Sequence, residues 1–220
     1  MSAPEDASLG DAALTEHGLE TAGDGGRILL LACGALAREI LALIEVNGWA
    51  HLSLHCLPAK LHNRPEQIPD AVEAAVIRFR DSYNQIFVVY ADCGTGGLLQ
   101  ARCAELGVEM MAGPHCYAFY DGLEAFEHRS EDEITAFYLT DFLVRQFDTL
   151  IWRGMKLDKH PELRDMFFGN YTTLIYQAQT EDPSLDAKAQ KAADMLGLKL
   201  ERRFTGYGDL AVQLGAVAEL

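Results

Sequence analysis

The amino-acid sequence predicts an α/β fold built on a mainly parallel sheet with helices on both faces. Two observations predict it. Short unbroken apolar runs recur along the chain, as in strands buried on both faces. Most are followed by a longer segment whose apolar residues fall at helical spacing, and this alternation implies right-handed crossovers between parallel strands.

The first run, Arg27 to Ala32, is broken by Cys33-Gly34 and followed by a helix over Ala35 to Val46, with Leu36, Ile40, Leu43 and Ile44 on one face. Asn47-Gly48 supplies its stop. A second strand spans His51 to Leu57, and Pro58 and Pro65 bracket the loop after it. A helix over about Glu66 to Tyr83 precedes the clearest strand, Gln85 to Ala91, which runs into Asp92-Cys93-Gly94-Thr95-Gly96-Gly97. A helix over Leu98 to Leu106 and a short strand over Val108 to Met111 lead to Gly113-Pro114-His115-Cys116-Tyr117. The C-terminal half continues with strands over Ala136 to Leu139, Thr172 to Ala178 and Lys199 to Phe204, and helices over Asp141 to Gly154 and Leu185 to Leu196. The whole reads as a Rossmann-like three-layer arrangement, a single α/β domain over residues 26–220.

Ahead of it, residues 1–25 carry Glu5, Asp6, Asp11, Glu16, Glu20 and Asp24 with no Lys or Arg, and read as a disordered acidic leader. The leader has neither the basic and apolar regions of a signal peptide nor the Arg-rich face of a transit peptide. No later apolar run is long enough to span a bilayer, so the expected location is cytoplasmic, away from membranes. A formal charge of -15 argues against nucleic acid as a partner, because phosphate binding needs clustered cations. Five cysteines in a 220-residue chain without the loop-rich character of a secreted scaffold read as reduced thiols.

Those thiols carry the functional reading. Cys33, Cys93 and Cys116 each follow a predicted strand at the turn towards the next helix. In an open α/β sheet the C-terminal strand ends share one crevice, so residues remote in sequence converge there. His62 lies in the loop after another predicted strand, and His115 adjoins Cys116. Three thiols with one of these histidines suit tetrahedral zinc, and three thiolates with an open position suit an iron-sulfur cluster. No C-x-x-C pair is present, so either centre requires tertiary convergence. Buried structural cysteine is the plainer alternative for each thiol taken singly. Cys56 is a reserve ligand within its strand, and Cys103 is expected to pack on a helix face.

Further candidates are ligand-binding rather than metal-binding. The glycines of the Asp92–Gly97 turn, Gly94 and Gly96 among them, expose backbone N–H groups ahead of a helix, a cradle for an anion or simply a tight turn. Arg64 offers a bidentate guanidinium beside His62, and Tyr207 offers an aromatic lid. A small-molecule substrate is the expected partner. The competing reading is a metal-independent thiol enzyme or small-molecule-binding module using the same crevice, with Cys93 or Cys116 as nucleophile and His115 as base.

The ordered set Cys33-Gly34, Leu61-His62 with Pro65, Asp92-Cys93-Gly94 and Gly113-Pro114-His115-Cys116-Tyr117 resembles the domain of unknown function 1638 family, from about Arg27 onwards. That resemblance implies a site at Cys93-Gly94 and His115-Cys116 with His62 and Pro65 nearby. It also implies an association with corrinoid-dependent methyl transfer, making a corrinoid protein or methyltransferase an expected partner and a one-carbon accessory role an expected function. Here His115 and Cys116 adjoin directly, without the spacer that the family pattern carries, which makes Cys116 the firmer site residue.

Overall fold

A computed structural model describes residues 10–20, 27–129 and 131–220. The chain divides into two compact units, Met1–Cys116 with Ala211–Leu220, and Tyr117–Leu210. Each has its own sheet, so the strands expected to share one sheet are separated into a five-stranded and a three-stranded set.

In the first unit the strand order is β1-β3-β2-β4-β5. Strand β2 (Ile28–Cys33) pairs in parallel with β3 (Leu52–Leu57) on one side and with β4 (Gln85–Val89) on the other. Its six residues are all buried, which is why its sequence is apolar without alternation. Strand β5 (Glu109–Met110) extends the parallel set beyond β4. Helices α2 (Ala37–Asn47), α3 (Ile68–Phe79) and α4 (Leu98–Leu106) occupy the predicted crossovers. Gly48 and Gly107 end α2 and α4 in the left-handed conformation, which glycine adopts without a Cβ clash.

Part of the expected leader is folded. Residues 1–9 and 21–25 lie outside the described residues, whereas residues 10–20 form helix α1 (Asp11–Glu16) and strand β1 (Leu19–Glu20). Leu14 is fully buried, and β1 pairs antiparallel with β3 through Leu19 opposite Cys56. Acidic composition concealed this because the large apolar side chains of residues 10–20 are Leu14 and Leu19 alone, both buried, while Asp11 and Glu16 pair with Arg38 and Lys60. Gly18 joins the two elements at φ 75°, and a Cβ there would lie 1.9 Å from the Cys56 carbonyl oxygen.

The second unit has an all-parallel sheet in the order β6-β7-β8, from β6 (Ala136–Thr140), β7 (Thr173–Ala178) and β8 (Lys199–Phe204). Helix α9 (Pro183–Leu196) is the β7–β8 crossover, opened by an Asp182 cap. Helices α5 (Ala118–Asp121), α6 (Leu123–Arg129) and α8 (Leu163–Phe168) lie in this unit, α10 (Gly208–Ala218) starts in it and from Ala211 belongs to the first, and no pattern in the sequence marks α5, α6 or α10. The helix predicted over Asp141 to Gly154 is two pieces, α7 (Asp141–Arg145) and a π-helix over Phe147–Trp152. At the β6 end the buried Asp141 carboxylate accepts hydrogen bonds from the Tyr176 hydroxyl, the Gln179 and Thr180 backbone N–H groups and the Thr180 hydroxyl. Such bonds to a charged acceptor each contribute about 1.5–3 kcal/mol.

Gly18→Ala should release the α1–β1 segment, since the clash is with backbone and the new residue is strained at positive φ. The expected cost is about 1–3 kcal/mol in denaturant unfolding, with faster proteolysis near residues 10–20. Unchanged stability and protection would contradict the docking of this segment.

Candidate functional site

The C-terminal strand ends of the first unit do converge. Cys33 is the last residue of β2, and Gly34 sits so close to its surroundings that a Cβ would lie 2.6 Å from the Leu14 carbonyl oxygen and 3.1 Å from that of Leu57. The turn after β4 is joined to the segment after β5 by two backbone hydrogen bonds, Asp92 N–H to the Gly113 carbonyl and Cys93 N–H to the Pro114 carbonyl, both 2.9 Å. Gly94 in that turn faces Pro65, whose ring carbons lie 3.6 Å from where its Cβ would be. The loops after β3, β4 and β5 are thereby drawn together, as a parallel sheet requires of ligand-binding loops.

Within this crevice Cys93 Sγ and Cys116 Sγ stand 3.1 Å apart, two free thiols in hydrogen-bond contact. Cys93 holds φ at 48°, a left-handed conformation that costs a non-glycine residue about 1–2 kcal/mol. Local backbone strain of this kind is concentrated at functional sites. The two sulfurs differ chemically. The Cys116 thiol, as donor to Cys93, is the main influence lowering the Cys93 pKa; burial opposes it, and the backbone N–H groups of Cys116 and Ala91 add to it. Cys116 is pushed the other way, first by that same bond and then by burial. The contact therefore favours the anion on Cys93 and the proton on Cys116.

Cys33 lies close enough to interact electrostatically with both, but burial pushes its thiol up to about 12. Tyr90 is 2% exposed, and its hydroxyl lies against the Cys33 thiol, whose anion it favours, without a well-aligned hydrogen bond. Burial first, then the neighbouring Cys33, Cys116, Cys56 and Cys93, hold it in the phenol form. Tyr90 escaped notice in the sequence because it sits inside the apolar run of β4 and its extension. The available signal was chemical: a tyrosine hydroxyl at the inner end of a buried strand needs a partner.

The two predicted histidines lie near enough to influence each other electrostatically. His62 lies in a 3-10 turn over Ala59–Asn63 and keeps a solvent-exposed edge, while His115 is half-buried after β5. Dense surroundings lower both imidazole pKa values; His115 further lowers that of His62, and Asp92 partly offsets the effect on His115. Arg64 is exposed between two 3-10 turns, its N–H bonded to the Leu61 carbonyl. Tyr207 belongs to the second unit, in the turn between β8 and α10. Cys103 packs on α4 as expected, 2% exposed. Cys56 pairs with Ala32 in the β2–β3 register, so the pleat directs it to the sheet face opposite Cys33.

The glycine-rich turn is tied together by its own aspartate, as in the tight-turn reading: the Asp92 carboxylate accepts from Gly97 N–H at 2.6 Å, Gly96 N–H at 3.1 Å and the Thr95 hydroxyl at 2.9 Å. Those bonds lower the Asp92 pKa against a desolvation effect that raises it. Gly94 and Gly96 serve the turn, at φ 85° and 64°, and their lack of side chains leaves Cys93 accessible. Among the described residues no group of three or more His, Cys, Asp or Glu side chains is arranged to hold a metal ion. No helix among them is long and apolar enough to cross a membrane.

No curated protein and no solved structure matches the chain. A family model does, the one described as protein of unknown function DUF1638, over residues 56–214. The match takes in His62, Cys93, His115 and Cys116 and leaves Cys33 outside it. The chain belongs to the DUF1638 family.

Proposed function

We propose that the first unit carries a metal-independent thiol centre in which Cys93 is the nucleophilic sulfur and Cys116 the thiol that stabilises its anion. The observation that carries the reading is the 3.1 Å contact between the two sulfurs, set on a strained Cys93 backbone. A thiolate is the reactive form of cysteine, and a donor fixed beside it holds that form at lower pH. Gly94, Gly96 and Gly97 flank the sulfur without side chains, which suits a small-molecule substrate. Free cysteines at all five positions fit a reducing, cytoplasmic setting. Complete burial of β2 supports a Rossmann-like covering of both faces of this sheet.

Soft-metal binding is the second reading, favoured by the proximity of Cys33 to both sulfurs. Zinc holds thiolates at about 2.3 Å, which places two of them ~3.8 Å apart in tetrahedral geometry. The pair must open from 3.1 Å, and the buried Cys33 must lose its proton. Cys33, Cys93 and Cys116 with His62 or His115 are the ligands that zinc would use; an iron-sulfur cluster would use the three thiolates. The corrinoid-linked, one-carbon accessory role remains a proposal that rests on family resemblance, with a methyl group as the electrophile that such a thiolate would accept.

Iodoacetamide titrated into metal-free reduced protein, with peptide mapping, tests the main reading. Cys93 should alkylate first, with a rate midpoint below the ordinary thiol pKa of 9.0, and Cys33 and Cys103, raised to about 12 and 11, should react only on unfolding. Uniform labelling, or a folded state that needs added zinc, contradicts it.

Tyr90→Phe removes a buried hydroxyl that lies against the Cys33 thiol. It should change stability by no more than about 1 kcal/mol and leave Cys93 the first thiol alkylated, since the hydroxyl acts on Cys33. A stability loss above about 1 kcal/mol would show the hydroxyl to be well bonded in the resting fold.

A further inference from the structure

The thiol pair has a second capacity besides nucleophilic attack. A disulfide holds its sulfurs at about 2.05 Å, so this pair, at 3.1 Å, stands roughly 1 Å from bonding distance. The backbone bonds from Asp92 and Cys93 to Gly113 and Pro114 already hold the two turns in place. The alternatives elsewhere in the chain are weaker. The Gln177 carboxamide is buried and unpartnered at the end of β7, but nothing around it identifies a ligand. The clefts by Arg27, His51 and Asn84 and by Arg80, Tyr83 and Leu106 lie towards the N-terminal strand ends, away from the thiols.

We propose that Cys93 and Cys116 are a dithiol–disulfide exchange pair, Cys93 attacking and Cys116 resolving, whose substrate class is a small disulfide. This rests on the reading of Cys93 as the reactive thiolate and adds the substrate and the second step. In the first step Cys93 S⁻ attacks one sulfur of RSSR; the S–S bond breaks, RS⁻ leaves and takes a proton from solvent, and a Cys93–S–S–R mixed disulfide forms. In the second, Cys116 yields its proton to solvent and attacks the Cys93 sulfur, expelling the second RS⁻. The two protein thiols are oxidised by two electrons and RSSR is reduced to two RSH. A dithiol reductant reverses the sequence. The geometry assigns the roles: Cys93 lies in the glycine-flanked turn, and Cys116 is the sulfur already in contact with the one to be resolved. Proximity of the two sulfurs favours the second step over release of the mixed disulfide.

The test treats reduced, full-length protein with hydroxyethyl disulfide under metal-free anaerobic conditions and follows intact mass and peptide maps. Wild type should lose two hydrogens to a Cys93–Cys116 bond with no lasting adduct. Cys116→Ser, or Cys116→Ala should the first fold poorly, should lose the internal bond and retain a hydroxyethylthio adduct on Cys93. A stable Cys93 adduct in wild type, or a bond from Cys93 to Cys33, overturns the exchange pair while leaving Cys93 as the reactive thiol. Absence of both adduct and bond overturns both readings.

Discussion

Two backbone hydrogen bonds, from Asp92 and Cys93 to the carbonyls of Gly113 and Pro114, govern the rest of the candidate site. They lock the turn after β4 to the segment after β5, and the contact between Cys93 and Cys116 follows from that lock. Neither turn would be held there by its own sequence. The Asp92 carboxylate supplies the internal restraint by bonding Thr95, Gly96 and Gly97, which leaves the backbone of Cys93 free to reach across. The parallel register of β2, β3 and β4 does the remaining work, since it puts the last residue of β2 and the turns after β3 and β4 at one end of the sheet. Strain at Cys93 is tolerable because these contacts over-determine its conformation.

A shared device recurs in the two units. Each places an aspartate just beyond a strand, and in each the carboxylate collects donors from a neighbouring turn. In the first unit Asp92 closes its own loop; in the second Asp141 ties the β6 end to Gln179 and Thr180 after β7. The chemistry differs in consequence. Asp141 is spent wholly on structure, whereas the Asp92 turn also presents a sulfur beside a second sulfur.

Much of this was legible in the sequence, for physical reasons. Unbroken apolar runs located β2 and β4 within one or two residues, because strands buried on both faces tolerate no alternation. The convergence of Cys33, Cys93 and Cys116 followed from parallel topology alone. Other features depend on distant partners. Alternation of strand and helix does not reveal where a sheet is interrupted, so the three-stranded set was read as a continuation of the first. Helix α6 is capped by the Asp209 carboxylate on the Leu123 N–H, a bond spanning 86 positions, and no local signal marks its start. The glycines around Cys93 leave an anion cradle and a tight turn both open in the sequence, which does not show that the adjacent aspartate bonds their N–H groups. Tyr90 was hidden by its apolar neighbours, although its hydroxyl is the feature that sets the thiol cluster apart from an ordinary core.

The central claim is that Cys116 makes a thiolate of Cys93. The direct measurement is a titration of thiolate ultraviolet absorbance in wild type and in Cys116→Ala, with Cys93→Ala identifying the signal. The account predicts a wild-type thiolate forming below the ordinary cysteine pKa, absent in Cys93→Ala and displaced upward in Cys116→Ala. A Cys93 titration unmoved by loss of Cys116, or a wild-type signal that survives in Cys93→Ala, would contradict it.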